Sequence, residues 1–249
     1  MKVHSFTHKL ILLPIYYIFH HNLLFGYLHK IFFKTFRYKK YKFNLKIEKL
    51  PTSHRASFLF KTYEYNDRII CEKNLSKKNK CIVIGGGIGF IPTIVYHKTK
   101  NKVLIFEINK KIIQNLKKNL LINNCKFRVL NKNLVFNLKK KSSFYCTKNF
   151  LETTGYHKTK DKIIVENIYY KKIKNILSFN TLIIDGEGIE EYYIKHISSF
   201  KNIKYILFEL HNNLISKKLV KKIFNTLSEN EFVLSDKCFN SYYYEKILK

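Results

Sequence analysis

Short runs of apolar, β-branched residues alternate with helical segments from Cys81 onward. Five of these runs predict strands: "CIVIG", "KVLIFE", "CKFRVLN", "TLIIDG" and "IKYILFEL". Two segments between the first three strands predict helices: "GFIPTIVYHKTK" and "NKKIIQNLKKNLLINN". The second helix carries apolar residues at helical spacing: Ile112, Ile113, Leu116, Leu120 and Leu121. Alternating strands and helices predict a parallel sheet joined by right-handed crossovers.

Two segments depart from simple alternation. Near the end of the chain, "EFVLSDKC" and "SYYYEKIL" flank a polar turn at Phe239 and Asn240, which predicts a terminal antiparallel hairpin. Residues 134–176 are more than a crossover needs, and "SSFYCT" and "DKIIVEN" predict strands of an insertion that shapes a substrate pocket. The predicted fold class is α/β: a doubly wound, Rossmann-like sheet, mostly parallel, with a C-terminal antiparallel hairpin.

The first residues form a separate segment. Leu10 to Leu28 carry no charged residue, and a basic stretch, "HKIFFKTFRYKKYK", follows at once. This length just spans a bilayer, but five residues that disfavour a membrane helix interrupt it: Pro14, His20, His21, Asn22 and Gly26. No cleavage site for a signal peptide follows. We expect an arm over residues 1–45, before a main domain over 46–249, that either lies in a membrane interface or packs on that domain.

The large positive charge of the chain says little about its function. Lys and Arg outnumber Asp and Glu by 47 to 17, for a net charge of +30, which is typical of proteins that bind nucleic acid or anionic membranes. Heavy use of Lys, Asn, Ile, Tyr and Phe is also what AT-rich codons produce, and we attribute most of the excess to this bias. The five cysteines are an odd number without a C-x-x-C pair, so we expect a reduced, cytoplasmic protein.

A turn of four glycines follows the first predicted strand: Gly85, Gly86, Gly87 and Gly89. Ligands of open α/β sheets bind at this turn, where glycine permits a positive φ and keeps side chains away from the ligand. The dinucleotide fingerprint would place its third glycine at Phe90, and no P-loop is present. The G-x-G-x-G spacing therefore favours S-adenosylmethionine, which has no pyrophosphate, over a nicotinamide cofactor.

Two residues at neighbouring strand ends complete the predicted cofactor site. Glu107 ends the second strand, where a carboxylate binds the ribose hydroxyls of adenosine cofactors, and Asn131 ends the third. The alternative is structural: the glycines only permit tight strand-helix packing, and Glu107 caps a helix.

A second polar cluster follows the fourth and fifth strands. Asp185 ends the fourth strand, and Glu187 and Glu190 follow as a helix begins. The fifth strand brings Glu209 and His211 to the same edge. Acids at a helix start are often only caps. In so basic a chain, however, this group suits a hydroxyl-bearing substrate, a general base or a divalent ion.

These segments together resemble the FkbM-type family of S-adenosylmethionine-dependent methyltransferases. The matching pieces cover most of residues 55–211: "SFLFKTYE", "VIGGGIGFIPT", "FEINKKIIQNLKKNLLINNCKF", "FNTLIIDGEGIEE" and "KNIKYILFELH". The specific part is the D-x-E-G-x-E block paired with E-L-H one strand later. The resemblance implies a class I methyltransferase sheet and methylation of a hydroxyl on a sugar, glycan or glycosylated metabolite.

The predicted catalytic residues are Asp185, Glu187, Glu190 and His211. We expect the enzyme to position the reactants, with His211 or Asp185 removing the hydroxyl proton. No metal is predicted, although Asp185, Glu187 and Glu190 leave metal assistance open.

Three alternatives remain. A nucleic-acid methyltransferase would explain the charge, but "DGEG" lacks the proline and aromatic residue on which an extruded base stacks, and its acids repel phosphates. An inactive, membrane-attached scaffold would explain the aromatic arm. A nicotinamide-dependent oxidoreductase is disfavoured by Phe90 and by the hairpin.

Overall fold

The computed structural model describes residues 23–47, 50–146, 153–154, 162–173, 175–211 and 214–247. The chain divides into two compact units, Met1–Tyr65 and Asn66–Lys249. The predicted arm, residues 1–45, falls in the first unit, but its residues 1–22 lie outside the described residues. The domain boundary after residue 45 stays a prediction.

The first unit has two helices and one hairpin in its described part: α1 Leu23–Phe32, β1 Thr35–Tyr38, β2 Tyr41–Asn44 and α2 Thr52–Leu59. The antiparallel hairpin places Phe36 opposite Phe43, and both rings are buried. The Phe36 ring also packs on Phe58 of α2, with ring centroids 5.2 Å apart. Among the described residues, no helix is long and apolar enough to cross a bilayer.

The second unit contains a sheet of seven strands. In chain order the strands are β3 Cys81–Ile84, β4 Val103–Phe106, β5 Phe127–Leu130, β10 Thr181–Ile184, β11 Tyr205–Glu209, β12 Phe232–Cys238 and β13 Ser241–Lys246. Their spatial order is β5-β4-β3-β10-β11-β13-β12. The first five run parallel, and β13 pairs antiparallel with β11 and β12. The predicted fold class is confirmed, including the hairpin and its turn.

The central strands are buried on both faces, as their uninterrupted apolar sequences require. All four residues of β3, β4 and β10 are buried. The helices of this unit are α3 Tyr65–Asn74, α4 Phe90–Thr99, α5 Ile113–Ile122, α6 Glu190–Lys195 and α7 Lys217–Glu229.

Both helices predicted between the first three strands are present, as α4 and α5. In α5 the side chains of Ile113, Leu116 and Leu120 face the core, but Leu121 is 64% exposed. Leu121 lies about 100° around the helix from Leu120, so its inclusion in the apolar face was wrong.

The insertion forms a second sheet. Its strands are β6 Asn133–Val135, β7 Lys141–Cys146, β8 Thr153–Thr154 and β9 Lys162–Tyr169, in the spatial order β6-β9-β7-β8. The two strands predicted there correspond to β7 and β9. The insertion contacts the main sheet's helices through Tyr193 of α6, whose buried hydroxyl donates to the carbonyl oxygen of Leu134 at 3.3 Å. Short 3-10 turns at Tyr170–Lys172, Ile176–Ser178 and Ile197–Ser199 complete the unit.

Candidate functional site

The glycine turn joins β3 to α4 at the carboxyl edge of the sheet. Gly85, Gly87 and Gly89 have φ values of 87°, 49° and 89°, in the left-handed region that favours glycine. Gly85 and Gly87 are partly exposed, whereas Gly86 and Gly89 are buried. The exposed backbone of this turn is therefore confined to alternate glycines.

Two of these glycines are packed closely against other parts of the protein. A Cβ on Gly85 would overlap the carbonyl oxygen of Asp185. A Cβ on Gly86 would lie 2.8 Å from Leu116 Cδ2 and 2.9 Å from Ile105 Cγ2. Gly85 and Gly86 therefore serve packing against Asp185, α5 and β4, and the contact of the turn with a ligand stays a prediction.

Glu107 holds the glycine turn in place. Its side chain is buried at the end of β4. The backbone N–H groups of Gly86 and Gly87 both donate to Oε2 at 3.0 Å, and that of Asn109 donates to Oε1 at 2.7 Å. Burial raises the pKa of Glu107, and these backbone hydrogen bonds oppose that rise. The carboxylate thus fixes the shape of the turn, in addition to any contact with a ribose.

Asn131 stabilises the same loop from the next strand. It follows β5 and is exposed. Its Nδ2 donates to the carbonyl oxygens of Glu107 at 2.8 Å and Ile108 at 3.2 Å. The structure thus brings Asn131 and Glu107 together at the predicted position.

The four predicted catalytic side chains meet at the ends of β10 and β11. His211 Nδ1 is 2.8 Å from Glu190 Oε1. On the other side of the ring, Nε2 is 3.4 Å from Glu187 Oε2 and 3.9 Å from Asp185 Oδ1. The imidazole therefore lies between a fully buried carboxylate and two partly exposed ones. We call Asp185, Glu187, Glu190 and His211 the acid-histidine cluster.

The loop between β10 and α6 has an uncommon backbone. Glu187 has φ of 52°, which few residues other than glycine adopt. Gly188 follows with φ of 97°, and its N–H donates to Glu190 Oε1 at 3.1 Å. This turn directs the side chains of Glu187 and Glu190 toward His211 from opposite sides.

The charges around His211 decide its protonation state. Burial alone would lower the pKa of the imidazole, but the hydrogen bond to Glu190 and the charges of Glu187 and Asp185 outweigh burial and raise it to about 10. His211 is therefore a cation at neutral pH. A protonated imidazole donates hydrogen bonds but cannot accept a proton.

The glycine turn and the acid-histidine cluster share one edge of the sheet. Strands β3 and β10 are parallel neighbours with Ile84 opposite Ile184. The N–H of Asp185 donates to the carbonyl oxygen of Ile84 at 3.0 Å. A ligand on the turn would consequently adjoin Asp185.

Two residues that sequence reasoning left out of the site orient Glu209. Asn240 Nδ2 donates to Glu209 Oε1 at 2.6 Å, and Asn66 Nδ2 donates to Asn240 Oδ1 at 2.7 Å. Glu209 Oε2 is 3.8 Å from His211 Nε2. The signal for Asn240 was present in the predicted hairpin, because pairing β13 with β11 brings the hairpin turn beside Glu209.

Asp67 is a third residue that the sequence did not indicate. It lies on α3, is 2% exposed and accepts a hydrogen bond from Ser241 Oγ. Burial, together with the negative charge of Glu209, raises its pKa to about 7. No motif surrounds Asp67 in the sequence.

Three side chains also meet a distance condition for a cation. One ligand atom from each of Asp185, Glu209 and His211 lies within 4.8 Å of the other two. This set differs from the one left open by the sequence, because Glu190 is fully buried and binds the far side of the imidazole. The absence of a metal requirement stays a prediction.

No model of a known protein family matches this sequence, and no curated protein does. Among solved structures, the chain is similar to a methyltransferase from Pyrococcus furiosus (14% identity, TM-score 0.48, covering 91% of this chain and 96% of that one). It is also similar to TYW2 from M. jannaschii, solved with AdoMet (12% identity, TM-score 0.48, 86% of each chain). A third is ribosomal protein L11 methylase from Lactobacillus delbrueckii subsp. bulgaricus (12% identity, TM-score 0.45, 73% and 78%). The fold class itself rests on the strand order of this chain's own sheet.

Proposed function

We propose that the chain is an S-adenosylmethionine-dependent O-methyltransferase of the FkbM type, acting on a hydroxyl of a sugar, glycan or glycosylated metabolite. The observation that carries the proposal is the contact between Gly85 and Asp185. It joins a turn suited to an adenosine cofactor to a cluster suited to a hydroxyl. A methyl donor and its acceptor need this adjacency.

The residues present fit the cofactor. Gly85 and Gly87 expose backbone at the turn, and the Glu107 carboxylate lies against that turn. Glu107 accepts hydrogen bonds from the backbone of Gly86, Gly87, Ile108 and Asn109, so a ribose hydroxyl would share a carboxylate oxygen with these donors. When bound, S-adenosylmethionine supplies an electrophilic methyl group on its sulfonium.

Asp185 is the proposed base for the hydroxyl proton. The sequence left Asp185 and His211 as equal candidates, but an imidazole with a pKa near 10 already holds its proton. The Asp185 side chain is 24% exposed at the sheet edge beside the glycine turn, so a substrate can reach its carboxylate. The positive charge of His211 then compensates part of the negative charge of the surrounding carboxylates.

The hydrogen-bonding groups of the acid-histidine cluster and Glu209 support the proposed acceptor class. Asp185, Glu187 and Glu209 present carboxylate oxygens, which accept hydrogen bonds from hydroxyls. Their negative charge disfavours a phosphate-rich acceptor such as RNA. A neutral acceptor with several hydroxyls satisfies both conditions.

Transfer of a labelled methyl group tests the function. The full chain is incubated with S-adenosylmethionine labelled at the methyl group and, in separate reactions, with neutral polyhydroxylated acceptors and with total RNA. We expect label in the hydroxylated acceptors, in an ether that resists mild base. Label confined to RNA would favour the nucleic-acid alternative, and no label despite cofactor binding would favour the inactive scaffold.

A further inference from the structure

Helix α1 packs closely against helix α2. At Gly26, which is buried, a Cβ would overlap the carbonyl oxygen of Thr52, so the backbones of α1 and α2 are in contact. Beside this contact, Phe25 packs edge-on against Phe60 with ring centroids 5.4 Å apart. These contacts fix which side of α1 is turned outward.

The outward side of α1 is apolar. Tyr27, Leu28, Ile31 and Phe32 are 57%, 38%, 61% and 70% exposed. At about 100° per residue, these four side chains fall within an arc of about 140° around the helix, and Gly26 lies opposite the middle of that arc. Phe33, 48% exposed, continues the patch beyond the helix end. We call Tyr27, Leu28, Ile31, Phe32 and Phe33 the α1 apolar face.

The segment that carries the α1 apolar face is strongly basic. Residues 23–47 contain seven lysines and arginines and no acidic residue. All seven are exposed. Lys30 lies on α1, with its Nζ 5.7 Å from the centre of the Tyr27 ring, and Lys34 follows Phe33 directly. An exposed apolar face in a cationic segment suits a surface that is both apolar and negatively charged.

We propose that the α1 apolar face docks into the interface of an anionic membrane. Its aromatic and aliphatic side chains would enter the boundary between headgroups and acyl chains, and the lysines would contact the anionic headgroups. A helix with an apolar face and flanking lysines lies along the interface, with its apolar side chains toward the acyl chains. This proposal is independent of the proposed enzymatic function.

Two other occupants fit less well. A second copy of the chain would bring two segments of like charge together, which is unfavourable. Single-stranded RNA would use aromatic rings for stacking, but two of the five exposed residues, Leu28 and Ile31, have no ring.

Vesicle flotation of the full chain tests the proposal. We expect binding to phosphatidylcholine vesicles that contain phosphatidylserine to exceed binding to phosphatidylcholine alone by more than about tenfold, and to weaken in high salt. Because the readout is lipid binding, it is unaffected by whether methyl transfer is observed. Equal or absent flotation with both vesicles would overturn the proposal.

Matched variants locate the contact. The double variant Ile31→Asp/Phe32→Asp is expected to lose flotation. The control Leu121→Asp/Leu138→Asp changes two exposed leucines, 64% and 77% exposed, by the same charge and is expected to keep it. Lys30→Glu/Lys34→Glu leaves the apolar face intact and should remove only the preference for phosphatidylserine. Flotation of Ile31→Asp/Phe32→Asp at the wild-type level would overturn the proposal. The proposal would also be overturned if Ile31→Asp/Phe32→Asp kept lipid binding but lost binding to RNA or self-association.

Discussion

His211 Nδ1 lies 2.8 Å from Glu190 Oε1, and that glutamate side chain is completely buried. The pair fixes the imidazole so that Nε2 faces the carboxylates of Asp185 and Glu187. Because the hydrogen bond and the surrounding negative charges hold a proton on the ring, His211 is a fixed cation at the centre of the site. Its proposed part is to orient and neutralise the acids around it.

Changing Glu190→Gln should lower the pKa of His211. The amide keeps the size of the side chain but removes a negative charge beside Nδ1, and a nearby negative charge is what raises an imidazole pKa. The measurement is an NMR titration of the His211 ring, identified by its absence in His211→Gln. We expect a midpoint near 10 in the wild type and a clearly lower one in Glu190→Gln. Equal midpoints would show that Glu190 does not hold the proton.

Replacing the proposed base should abolish turnover without abolishing cofactor binding. Asp185→Asn cannot accept the hydroxyl proton, and loss of a general base costs about 10²–10⁴ in rate. Asp236→Asn is a matched control, since Asp236 lies on β12 and binds Lys73 and Asn74. Initial rates of methyl transfer and affinity for S-adenosylhomocysteine are measured on both variants. Near wild-type turnover in Asp185→Asn would remove its assigned role.

Asn240→Ala should impair the site through Glu209. Asn240 holds Glu209 Oε1 by a 2.6 Å hydrogen bond, so its loss frees that carboxylate and should lower kcat/KM by about tenfold. Asn180→Ala provides the control: Asn180 precedes β10, at the opposite end of that strand, and bonds to Lys78 and Lys80. Steady-state kinetics with both variants distinguish positioning from general stability. If Asn180→Ala lowers kcat/KM by the same factor, the effect of Asn240→Ala does not come from positioning Glu209.

The buried Asp67 should make stability depend on pH. Its pKa is raised from an ordinary value of 3.8 to about 7, so the folded state binds this proton more tightly than the unfolded chain does. Between these two values the unfolded chain loses the proton first, and stability falls as pH rises. Asp67→Asn removes this loss, on the order of a few kcal/mol by pH 8. Urea unfolding at pH 5 and pH 8 measures it.

The quantity to compare is the difference in the free energy of unfolding between wild type and Asp67→Asn at each pH. Other groups titrate in both proteins, and this difference removes their contribution. Asp236→Asn serves as control, since its hydrogen bonds outweigh its burial and its pKa is lowered, the opposite direction. A stability gain in Asp67→Asn that is the same at both pH values would contradict the raised pKa.

Gly86→Ala should destabilise the fold by overpacking. The added methyl would lie 2.8 Å from Leu116 and 2.9 Å from Ile105, and such insertions cost about 1–3 kcal/mol. Combining Gly86→Ala with Leu116→Ala vacates space beside the methyl, so the double variant should be more stable than the sum of the single effects predicts. Urea unfolding of the cycle checks this. If the two effects on the free energy of unfolding simply add, the methyl group of Gly86→Ala does not clash with Leu116.

The sheet was predictable because its strands are continuous apolar runs, which only burial on both faces explains. The hairpin was predictable on a different ground, two β-like runs joined by a polar turn at Phe239 and Asn240, and its pairing brings Asn240 to Glu209. The meeting of Asp185 with His211 also followed from the sequence, since parallel strands end at one edge.

The remaining features depend on side-chain directions and on packing between distant segments. The sequence predicts that Glu107 ends a strand, but it does not predict that the backbone N–H groups of Gly86 and Gly87 donate to its carboxylate. Asp67 enters the site only because α3 packs beside the C-terminal hairpin, where Ser241 donates to it. The positive charge on His211 depends on the distances from its ring to three carboxylates, those of Glu190, Glu187 and Asp185.

The most direct measurement is calorimetric titration with S-adenosylhomocysteine of the wild type, Glu107→Gln and the surface control Glu166→Gln, with NADH as a second ligand. Glu107 is buried at the turn, and Glu166 binds Lys132 at the surface. We predict that the wild type and Glu166→Gln bind S-adenosylhomocysteine and not NADH, and that Glu107→Gln binds at least about tenfold more weakly. No binding by the wild type, or equal binding by Glu107→Gln, would contradict the proposed cofactor site.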